Sequence, residues 1–413
     1  MGAGLACSAP EIEESVGSAA VTDRNGLRVL TINTGSSSVK SALYAMGERE
    51  EVLFSAQIAE IGRPESWLSM SGGDRPANHE RTPVPDYGTA LHLLQDALAG
   101  RGLSPDAVGH RVVHGGGAYS KPQLVTADLV TALEALVPID PDHLPQAVQA
   151  VRAMEQIYPS LPQVACFDTS FHAGMPATAR RYALPRRITD EGVVRYGFHG
   201  LSYEYIMSRL AEIAPAEAAG RVLIAHLGNG ASMAAVRGGV GVDTTMGFTP
   251  AGGLVMGTRP GDLDPGVLLY LFSQPGETPA LLNTLVNKEA GLLGTSGTTA
   301  DMRELLDRER TDPRAAEAID LFCYQAKKFL GALAAVLGGP ETLVFTGGIG
   351  EHAAPVRARI CEGLAFLGIR LNRRRNEASA PIISRSGSRV TVRVMNTDED
   401  LMIARHTRRV IGR

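Results

Sequence analysis

A turn rich in hydroxyl groups lies between two apolar segments near the start of the chain. It spans residues 33–38, with the sequence Asn-Thr-Gly-Ser-Ser-Ser, and Lys40 follows. Backbone N–H groups and hydroxyls in such a turn form a cradle for an anion, to which a lysine adds a point charge. The turn therefore predicts a phosphate site, although an ordinary serine-rich hairpin has the same composition. A Walker-type loop is excluded because the pattern GxxxxGK(S/T) does not occur.

Two further glycine-rich turns offer backbone N–H groups with little side-chain bulk. One is the run His226, Leu227, Gly228, Asn229 and Gly230, and the other covers residues 347–350. Asn-Gly is also the commonest type I′ hairpin dipeptide, so the first run has a purely structural alternative. The second matches the dinucleotide pattern GxGxxA, but the segment about 20 residues later lacks the acid that binds ribose. The first run, facing the turn at residues 33–38, could hold one end of a polyphosphate, and the second predicts only a close approach of the backbone to a nucleotide.

Two arginines, Arg111 and Arg259, are each embedded among glycines and other small residues. Guanidinium groups placed in this way can converge on a carboxylate or on a transferring phosphoryl group. A surface ion pair is the ordinary alternative for either arginine taken alone. The His-Gly-Gly-Gly run at residues 114–117 resembles an esterase oxyanion strand, but the absence of a GxSxG elbow argues against a serine hydrolase.

Acidic and histidine side chains occupy places typical of catalytic groups. Asp168 ends the apolar segment 163–167, and His199 lies in the glycine-flanked segment 196–200. Strand ends and loops are where catalytic groups are usually placed, although a lone histidine is more often a core residue. The segment 396–400, Asn-Thr-Asp-Glu-Asp, suits either the N-cap of a closing helix or a Mg²⁺ ion held through water.

The elements that must position these residues alternate between strands and helices. A strand–turn–strand unit at residues 27–44 returns at residues 222–236, which indicates an internal duplication. Apolar residues at three- and four-residue spacing predict helices, of which the strongest spans residues 313–337. This alternation predicts an α/β protein. The segment 64–85 is rich in Gly, Pro, Asp and Arg and predicts a surface loop.

Length and composition limit the class of protein. The 413 residues predict about two domains, at roughly 150 residues each. The net charge of −4 lacks the positive field that nucleic-acid binding needs, and no apolar run approaches the ~18 residues that span a bilayer. The four cysteines are scattered singly, which favours a reducing cytoplasm. Residues 1–26 are polar and acidic, lack the features of a signal peptide, and are predicted to be a disordered, dispensable tail.

Taken together, these segments resemble the acetate kinase family, within the sugar kinase, Hsp70 and actin superfamily. The resemblance covers residues 29–405 and rests on eight segments in order: 33–38 with Lys40, 110–116, 167–172, 196–200, 226–232, 258–266, 347–351 and 398–399. It implies two ribonuclease-H-like (actin-like ATPase) domains with an active-site cleft between them. We expect the first domain at residues 27–170, joined by a C-terminal helix at 402–413, and the second at residues 171–401.

The resemblance also implies reversible phosphoryl transfer from ATP to acetate, which gives acetyl phosphate and ADP by direct in-line attack. Arg111 would bind the substrate carboxylate, while His199 and Arg259 would stabilise the transferring phosphoryl group. Asp168 would orient the acid or contact the metal, because a carboxylate needs no general base at pH 7. The methyl pocket would be lined by Val113, Phe198 and Pro250.

Cofactors and partners follow from the same resemblance. Asn33 and Glu399 would place Mg²⁺, with Mn²⁺ as a possible substitute, and the protein would form a homodimer. ATP or ADP would be surrounded by Lys40, His226, Leu227, Gly228, Asn229, Gly230, Asp301, Met302, Arg303, Gly348, Ile349, Gly350, Glu351 and His352.

The chain departs from the family pattern at the acid and the nucleotide positions. Asp142 stands where an aliphatic residue usually precedes the active-site histidine, here His143, and a negative charge beside a carboxylate substrate would weaken binding. His352 replaces a usual asparagine. One methylene changes binding in such a pocket by only ~1–3 kcal/mol, so propionate or another short-chain acid stays open as the substrate.

Two other functions of the same superfamily are alternatives. A non-metabolic ATPase of the actin or Hsp70 type would hydrolyse ATP without an acid acceptor, and would need a peptide-binding appendage or polymer contacts. A sugar or glycerol kinase would need a base to activate a hydroxyl group, whereas two arginines at the acceptor suit an anion.

Overall fold

The computed structural model describes residues 26–35, 37–72 and 75–412, so the predicted tail lies outside the described residues except for Gly26. The strands of the first sheet are β1 (Leu27–Thr34), β2 (Ser38–Met46), β3 (Glu50–Ala59), β4 (Ser66–Gly72), β5 (Arg75–Thr82), β6 (Ala107–Val112), β7 (Gln123–Leu124) and β8 (Gln163–Phe167). Those of the second sheet are β9 (Arg221–Leu227), β10 (Ala231–Arg237), β11 (Val240–Thr244), β12 (Thr342–Thr346) and β13 (Thr391–Val394).

The two sheets share one strand arrangement. The first contains the order β3-β2-β1-β6-β8, and the second has the order β11-β10-β9-β12-β13. In each, an antiparallel hairpin continues into strands that run parallel to its first member. The repeated strand–turn–strand unit in the sequence is therefore the start of a repeated sheet, and the two phosphate-type turns occupy equivalent places, after β1 and after β9.

Helices connect and cover the sheets. They are α1 (Tyr87–Ala99), α2 (Ala127–Leu136), α3 (Leu144–Ile157), α4 (Ala177–Arg180), α5 (Arg186–Asp190), α6 (Gly200–Ile213), α7 (Pro215–Ala218), α8 (Pro265–Phe272), α9 (Pro279–Thr284), α10 (Gly291–Ser296), α11 (Met302–Arg308), α12 (Pro313–Leu337), α13 (Gly347–His352), α14 (Ala354–Cys361), α15 (Arg373–Glu377) and α16 (Glu399–Ile411). A π-helical turn follows α9 at Leu285–Glu289. The strongest predicted helix is confirmed as α12.

Each sheet has its own apolar core on both faces. In the first sheet, Leu30 packs with Leu91 of α1 on one face, while Ala404 of α16 packs with Val29 on the other. In the second sheet, α12 and α6 cover opposite faces, because the side chains of successive strand residues alternate between the two faces. The closing helix therefore lies against the first sheet rather than the second.

The prediction of a surface loop at residues 64–85 is wrong. This segment forms the antiparallel strands β4 and β5, which extend the first sheet beyond β3. Ser66, Leu68 and Met70 are buried in alternation with less buried neighbours, which is the period of a strand. Pairing with β3 supplies the stability that the glycine- and proline-rich composition does not reveal, since strand formation depends strongly on neighbouring strands.

Candidate active site

A cleft of about 970 Å³ gathers most of the residues predicted to bind ATP and metal. Its lining includes Asn33, Lys40, Arg111, His199, His226, Gly228, Asn229, Gly230, Asp301, Met302, Arg303, Gly348, Ile349, Glu351, His352 and Glu399. Leu227 and Gly350 are buried behind it. Side chains separated by more than 300 positions in the sequence thus share one cavity.

The first wall of the cleft is the hairpin between β1 and β2. Asn33 pairs with Lys40 across this hairpin, and the Lys40 side chain is exposed. The turn is fixed by a hydrogen bond of 2.7 Å from the Gly35 N–H to the Ser38 carbonyl, and the Tyr87 hydroxyl donates to the Gly35 carbonyl at 2.6 Å. Asn33 and Lys40 therefore line the cavity at the base of a tightened turn.

The second wall is the turn between β9 and β10, where glycine allows a close approach. A Cβ atom on Gly230 would lie 2.9 Å from Nη2 of Arg259 and 3.1 Å from Nε2 of His199. A Cβ atom on Gly257 would lie 1.9 Å from the side-chain oxygen of Asn229. The small residues therefore bring a guanidinium and an imidazole against the backbone at the cleft wall.

The third wall is the turn between β12 and α13. The Glu351 carboxylate accepts hydrogen bonds from the N–H of Gly347 at 3.0 Å and from the N–H of Thr397 at 3.3 Å. It thereby ties the end of β12 to the segment after β13. A Cβ atom on Gly348 would have no neighbour within 4 Å, so this backbone is open to the cavity. The His352 side chain is 76% exposed at the rim.

A hydrogen-bonded chain links the predicted metal residues to the predicted acid residues. Nε and Nη2 of Arg111 donate to Oδ2 of Asp168 at 3.0 and 2.6 Å, and Nη1 donates to Asn33 at 3.1 Å. Asn33 in turn donates to Glu399 at 3.3 Å. Asp398 caps α16 by accepting from the Leu401 N–H at 2.9 Å. The capping role predicted for the carboxylate segment therefore belongs to Asp398, which leaves Glu399 facing the cleft.

Burial and opposite charge act against each other on the carboxylates of this chain. Burial raises the pKa of Asp168, and the Arg111 guanidinium opposes that shift. Burial also acts to raise the pKa of Glu399, but the Arg111 guanidinium opposes it most strongly and the net shift is downward. Glu399 is therefore ionised at neutral pH, as a cation site requires.

Arg259 has a different environment. Its Nη1 donates to the Pro250 carbonyl at 2.8 Å, and within the described ranges no carboxylate lies at ion-pair distance from it. Burial lowers its pKa to about 10, against the opposing charges of Asp140 and Asp142, and the charge of Arg111 lowers it further. At neutral pH Arg259 is therefore a cation without a fixed counter-ion.

His199 and His226 stack beside Arg259, with ring centroids 4.3 Å apart. His199 has a left-handed backbone at φ 59°, a strained conformation that is typical of functional sites. Its Nδ1 lies 2.8 Å from the Ser232 hydroxyl, and Nδ1 of His226 lies 2.8 Å from the Ser202 hydroxyl. Burial is the main cause that lowers the pKa of both histidines, so both rings are neutral near pH 7.

The residues predicted for the methyl pocket are buried on the second-sheet side. Val113 and Phe198 belong to one apolar cluster, and Pro250 is buried where its carbonyl accepts from Arg259. The His114 ring lies 5.6 Å from the Phe198 ring in an edge-on contact. Of the three residues, Pro250 is therefore the one that contacts a predicted phosphoryl-binding guanidinium, that of Arg259.

The carboxylate of Asp142 has protein partners. Lys288 approaches one oxygen to 3.0 Å and Asn283 donates to the other at 3.4 Å. The expectation that Asp142 opposes a carboxylate substrate is therefore weakened, because its charge is compensated. The sequence does not single out Asp140, whose carboxylate lies 2.8 Å from the ring of His143, the predicted active-site histidine. The only signal for Asp140 is its place three residues before that histidine.

Comparison with known proteins gives a consistent result. The model of the acetokinase family matches residues 28–405. The acetate kinase of Nitrobacter hamburgensis is 46% identical over 390 residues, which cover 92% of this chain and 95% of that protein. The propionate kinase of Citrobacter rodentium is 40% identical over 391 residues, covering 93% and 96%.

Solved structures agree in fold. The crystal structure of Porphyromonas gingivalis acetate kinase matches with a TM-score of 0.83 at 38% identity, covering 94% of this chain and all of that one. A propionate kinase from Francisella tularensis matches with a TM-score of 0.87 at 35% identity, covering 93% and 100%. The predicted α/β class with two actin-like ATPase sheets is confirmed.

Within the described residues, no helix is both long and apolar enough to cross a membrane. The family model covers nearly the whole chain, and its matched range contains every residue of the cleft described above. The chain belongs to the acetokinase family.

Proposed function

We propose that the protein catalyses the reversible phosphorylation of acetate by ATP, to give acetyl phosphate and ADP by direct in-line transfer. The observation that carries this proposal is Arg259, a half-buried cation that meets His199 at Gly230 and has no carboxylate at ion-pair distance among the described residues. A phosphoryl transition state spreads negative charge over three oxygens, so catalysis rests on positioning and on fixed positive charge. The family membership of the chain supports the same reaction.

The acceptor is proposed to be a short carboxylic acid. Arg111 is held rigidly by Asp168, so one face of its guanidinium is pre-oriented for a substrate carboxylate. The substrate oxygen is already ionised at pH 7, which leaves Asp168 to orient Arg111 rather than to remove a proton. Val113, Phe198 and Pro250 favour a small apolar group, and relatives named acetate kinase and propionate kinase are both similar to this chain.

The nucleotide is proposed to lie along the three turns that form the walls of the cleft. Open backbone at Gly348 and the exposed ammonium of Lys40 suit phosphate oxygens. Asp301 accepts from the Arg303 N–H at 2.7 Å and begins α11 at the cleft edge, where Met302 lines the cavity. The positive end of a helix and glycine-rich turns are the usual elements of a phosphate site.

Mg²⁺ fits the residues at Asn33 and Glu399. Among the described residues, no group of three or more His, Cys, Asp and Glu side chains could hold a metal ion by itself. Mg²⁺ usually binds through one or two protein carboxylates, several waters and substrate phosphates, which matches this sparse set of ligands. The ion would neutralise phosphate charge during transfer, and Mn²⁺, which prefers similar oxygen ligands, would also fit.

We further propose that residues 27–170 with 402–413, and residues 171–401, are two domains that close on the substrates. The separate cores of the two sheets and the contact of α16 with the first sheet support this division. Closure of domains around a phosphoryl-transfer site excludes water from it. ATP hydrolysis would otherwise compete with transfer to the acid.

A homodimer is proposed from the surface of the second half. Helix α8 carries no charged residue, and Leu269, Tyr270 and Phe272 are 71%, 65% and 53% exposed. Apolar patches of this kind are typical of protein–protein interfaces, and a second copy is the occupant that the family resemblance favours. Sedimentation velocity should show a dimer for the wild type and a monomer for Leu269→Glu; a wild-type monomer would contradict the proposal.

A cytoplasmic location is also proposed. Cys166, Cys323 and Cys361 are free and buried in the described structure. Free thiols are typical of proteins that work in a reducing compartment.

Trapping of the acyl phosphate with hydroxylamine tests the proposed reaction. Acetate, propionate, butyrate and a dicarboxylate would be compared at equal concentration with ATP and Mg²⁺. We expect hydroxamate from acetate and propionate, less from butyrate and none from the dicarboxylate. Acid-independent ADP release would instead favour an ATPase of the actin or Hsp70 type. Glycerol-dependent ADP release above the acetate-dependent rate would favour a sugar or glycerol kinase.

A further inference from the structure

The loop between α2 and α3 holds two side chains against each other. Nδ1 of His143 lies 2.8 Å from Oδ1 of Asp140, which is only 4% exposed. The Asp140 carbonyl accepts from the N–H of His143 at 3.4 Å and of Leu144 at 3.1 Å, and Leu144 is fully buried. The backbone turn and the buried start of α3 therefore fix the positions of both side chains.

The chemistry of this contact selects one form of the imidazole. A carboxylate can only accept hydrogen bonds, so Nδ1 of His143 must carry the proton. Nε2 is then the free ring nitrogen, and it makes no hydrogen bond to the part of the chain that the structure describes. In its doubly protonated form His143 would lower the pKa of the Asp168 carboxyl, so the imidazole lies near Asp168 on the acid side of the cleft.

Other charged groups also face Asp140. Its charge raises the pKa of Arg111, Arg259 and His114, each of which burial lowers. Its second oxygen, Oδ2, is buried and lacks a hydrogen-bond partner within the described ranges. Asp140 could thus act through His143 or as a distant counter-charge for the arginines. The role through His143 is favoured, because Asp140 is hydrogen-bonded directly to His143, whereas it affects the arginines only through its charge.

We propose that Asp140 is a positioning residue of the acid site, which fixes the tautomer and ring orientation of His143 so that Nε2 faces the carboxylate or acyl phosphate. This inference rests on the proposed acyl kinase function. Orientation of a functional histidine by a buried carboxylate is a common arrangement in enzymes, and its loss typically reduces activity about 10- to 100-fold where a metal ligand is oriented in this way.

A double-mutant cycle on hydroxamate formation tests the proposal. We expect Asp140→Ala to lower kcat about 10- to 100-fold with an unchanged KM for ATP. Asp140→Asn keeps an oxygen that can accept from Nδ1, and it should recover most of the loss. In a His143→Ala background, Asp140→Ala should lower kcat by less than about 3-fold further, because the residue it positions is already gone.

Asp142→Asn is the matched control, since it removes a charge from the same loop without touching the His143 ring. Its effect should multiply with that of His143→Ala. Thermal unfolding would be measured for every variant. If Asp140→Ala does not fold, the test uses Asp140→Asn alone and Asp140→Asn combined with His143→Ala.

Two results would overturn the inference. One is independent, multiplying losses for Asp140→Ala and His143→Ala. The other is coupling of Asp140→Ala to Arg259→Ala in place of His143→Ala, which would assign Asp140 to charge balance. Both presuppose that the wild type forms hydroxamate. A wild type that forms none from any acid would instead contradict the proposed function.

Discussion

Arg111 and Arg259 come from opposite sides of the cleft and have opposite electrostatic surroundings. Arg111 is the penultimate residue of β6 in the first sheet and donates two hydrogen bonds to a carboxylate that is 1% exposed. Arg259, in the loop after β11, donates to a backbone carbonyl and has no carboxylate at ion-pair distance in the described structure. The first guanidinium is compensated by the protein, and the second is not.

This difference indicates that the two arginines have different roles. A buried ion pair keeps a fixed geometry, as a binding group for a substrate carboxylate requires. A cation that lacks a counter-ion is unfavourable until an anion arrives, and it then interacts strongly because little water surrounds it. The missing negative charge at Arg259 is therefore that of the phosphoryl group in our proposal.

The largest effect is expected for Arg111→Ala. Removal of one partner from a buried pair leaves Asp168 as an uncompensated charge, which should lower the free energy of unfolding by about 3–5 kcal/mol. Hydroxamate formation should be lost as well. Urea denaturation measures the first effect, and adding Asp168→Asn should restore part of the stability. Unchanged stability of the single variant would show that the pair is not buried in solution.

Arg259→Ala should show the opposite balance between activity and stability. We expect kcat to fall about 10²- to 10³-fold, since a fixed charge at the transition state is lost. The free energy of unfolding should stay the same or rise, because a desolvated cation without a partner is removed. Steady-state kinetics and urea denaturation would be run on the same preparations, with Arg259→Lys as the control that keeps the charge. A lower free energy of unfolding for Arg259→Ala would contradict the proposal that Arg259, unlike Arg111, is an uncompensated cation.

Acidification should destabilise both halves of the cleft. His110 directly precedes Arg111 in the sequence, and the His172 ring contacts the carbonyl of Phe198, the residue before His199. Burial lowers the pKa of the His110 and His172 imidazoles to about 4. The pKa of a histidine in the unfolded chain is higher, about 6.5. The contribution of the neutral imidazoles to the free energy of unfolding is therefore present above about pH 6.5 and is lost as the pH falls toward 4. Between pH 7 and pH 5.5 each histidine should account for about 1 kcal/mol.

Urea denaturation at the two pH values measures this loss, and His110→Gln should remove about 1 kcal/mol of it. A pH-independent stability over this range would contradict the burial of both rings. A loss that His110→Gln leaves unchanged would place the titrating group on the Arg259 side alone.

The smallest effect is expected for Lys288→Ala. The Lys288 side chain is 60% exposed, and an exposed ion pair contributes only about 0–1 kcal/mol. The uncompensated Asp142 should raise the KM for the acid by less than about 5-fold and leave kcat unchanged. Lys288→Arg should behave like the wild type. A lower KM in Lys288→Ala would mean that Asp142 does not face the acid.

The sequence alone determined the turns, the strongest helix and the family. Glycine and hydroxyl-bearing residues indicate a turn in three short segments, residues 33–38, 226–230 and 347–350. The structure places residues from all three segments around the cleft. Helix α12 was predicted at its observed bounds because its apolar spacing and its terminal residues are local signals.

Only the tertiary structure decided which charges have partners. Arg111 meets Asp168 across 57 positions, and Lys288 reaches Asp142 from a π-helical turn in the other half of the chain. The strands β4 and β5 were missed for the same reason, since β4 is stabilised by pairing with β3 and β5 by pairing with β4. Local patterns specify backbone conformation, whereas the compensation of a charge depends on distances between elements that are remote in sequence. That is why two similar glycine-flanked arginines in the sequence became a paired and an unpaired cation in the fold.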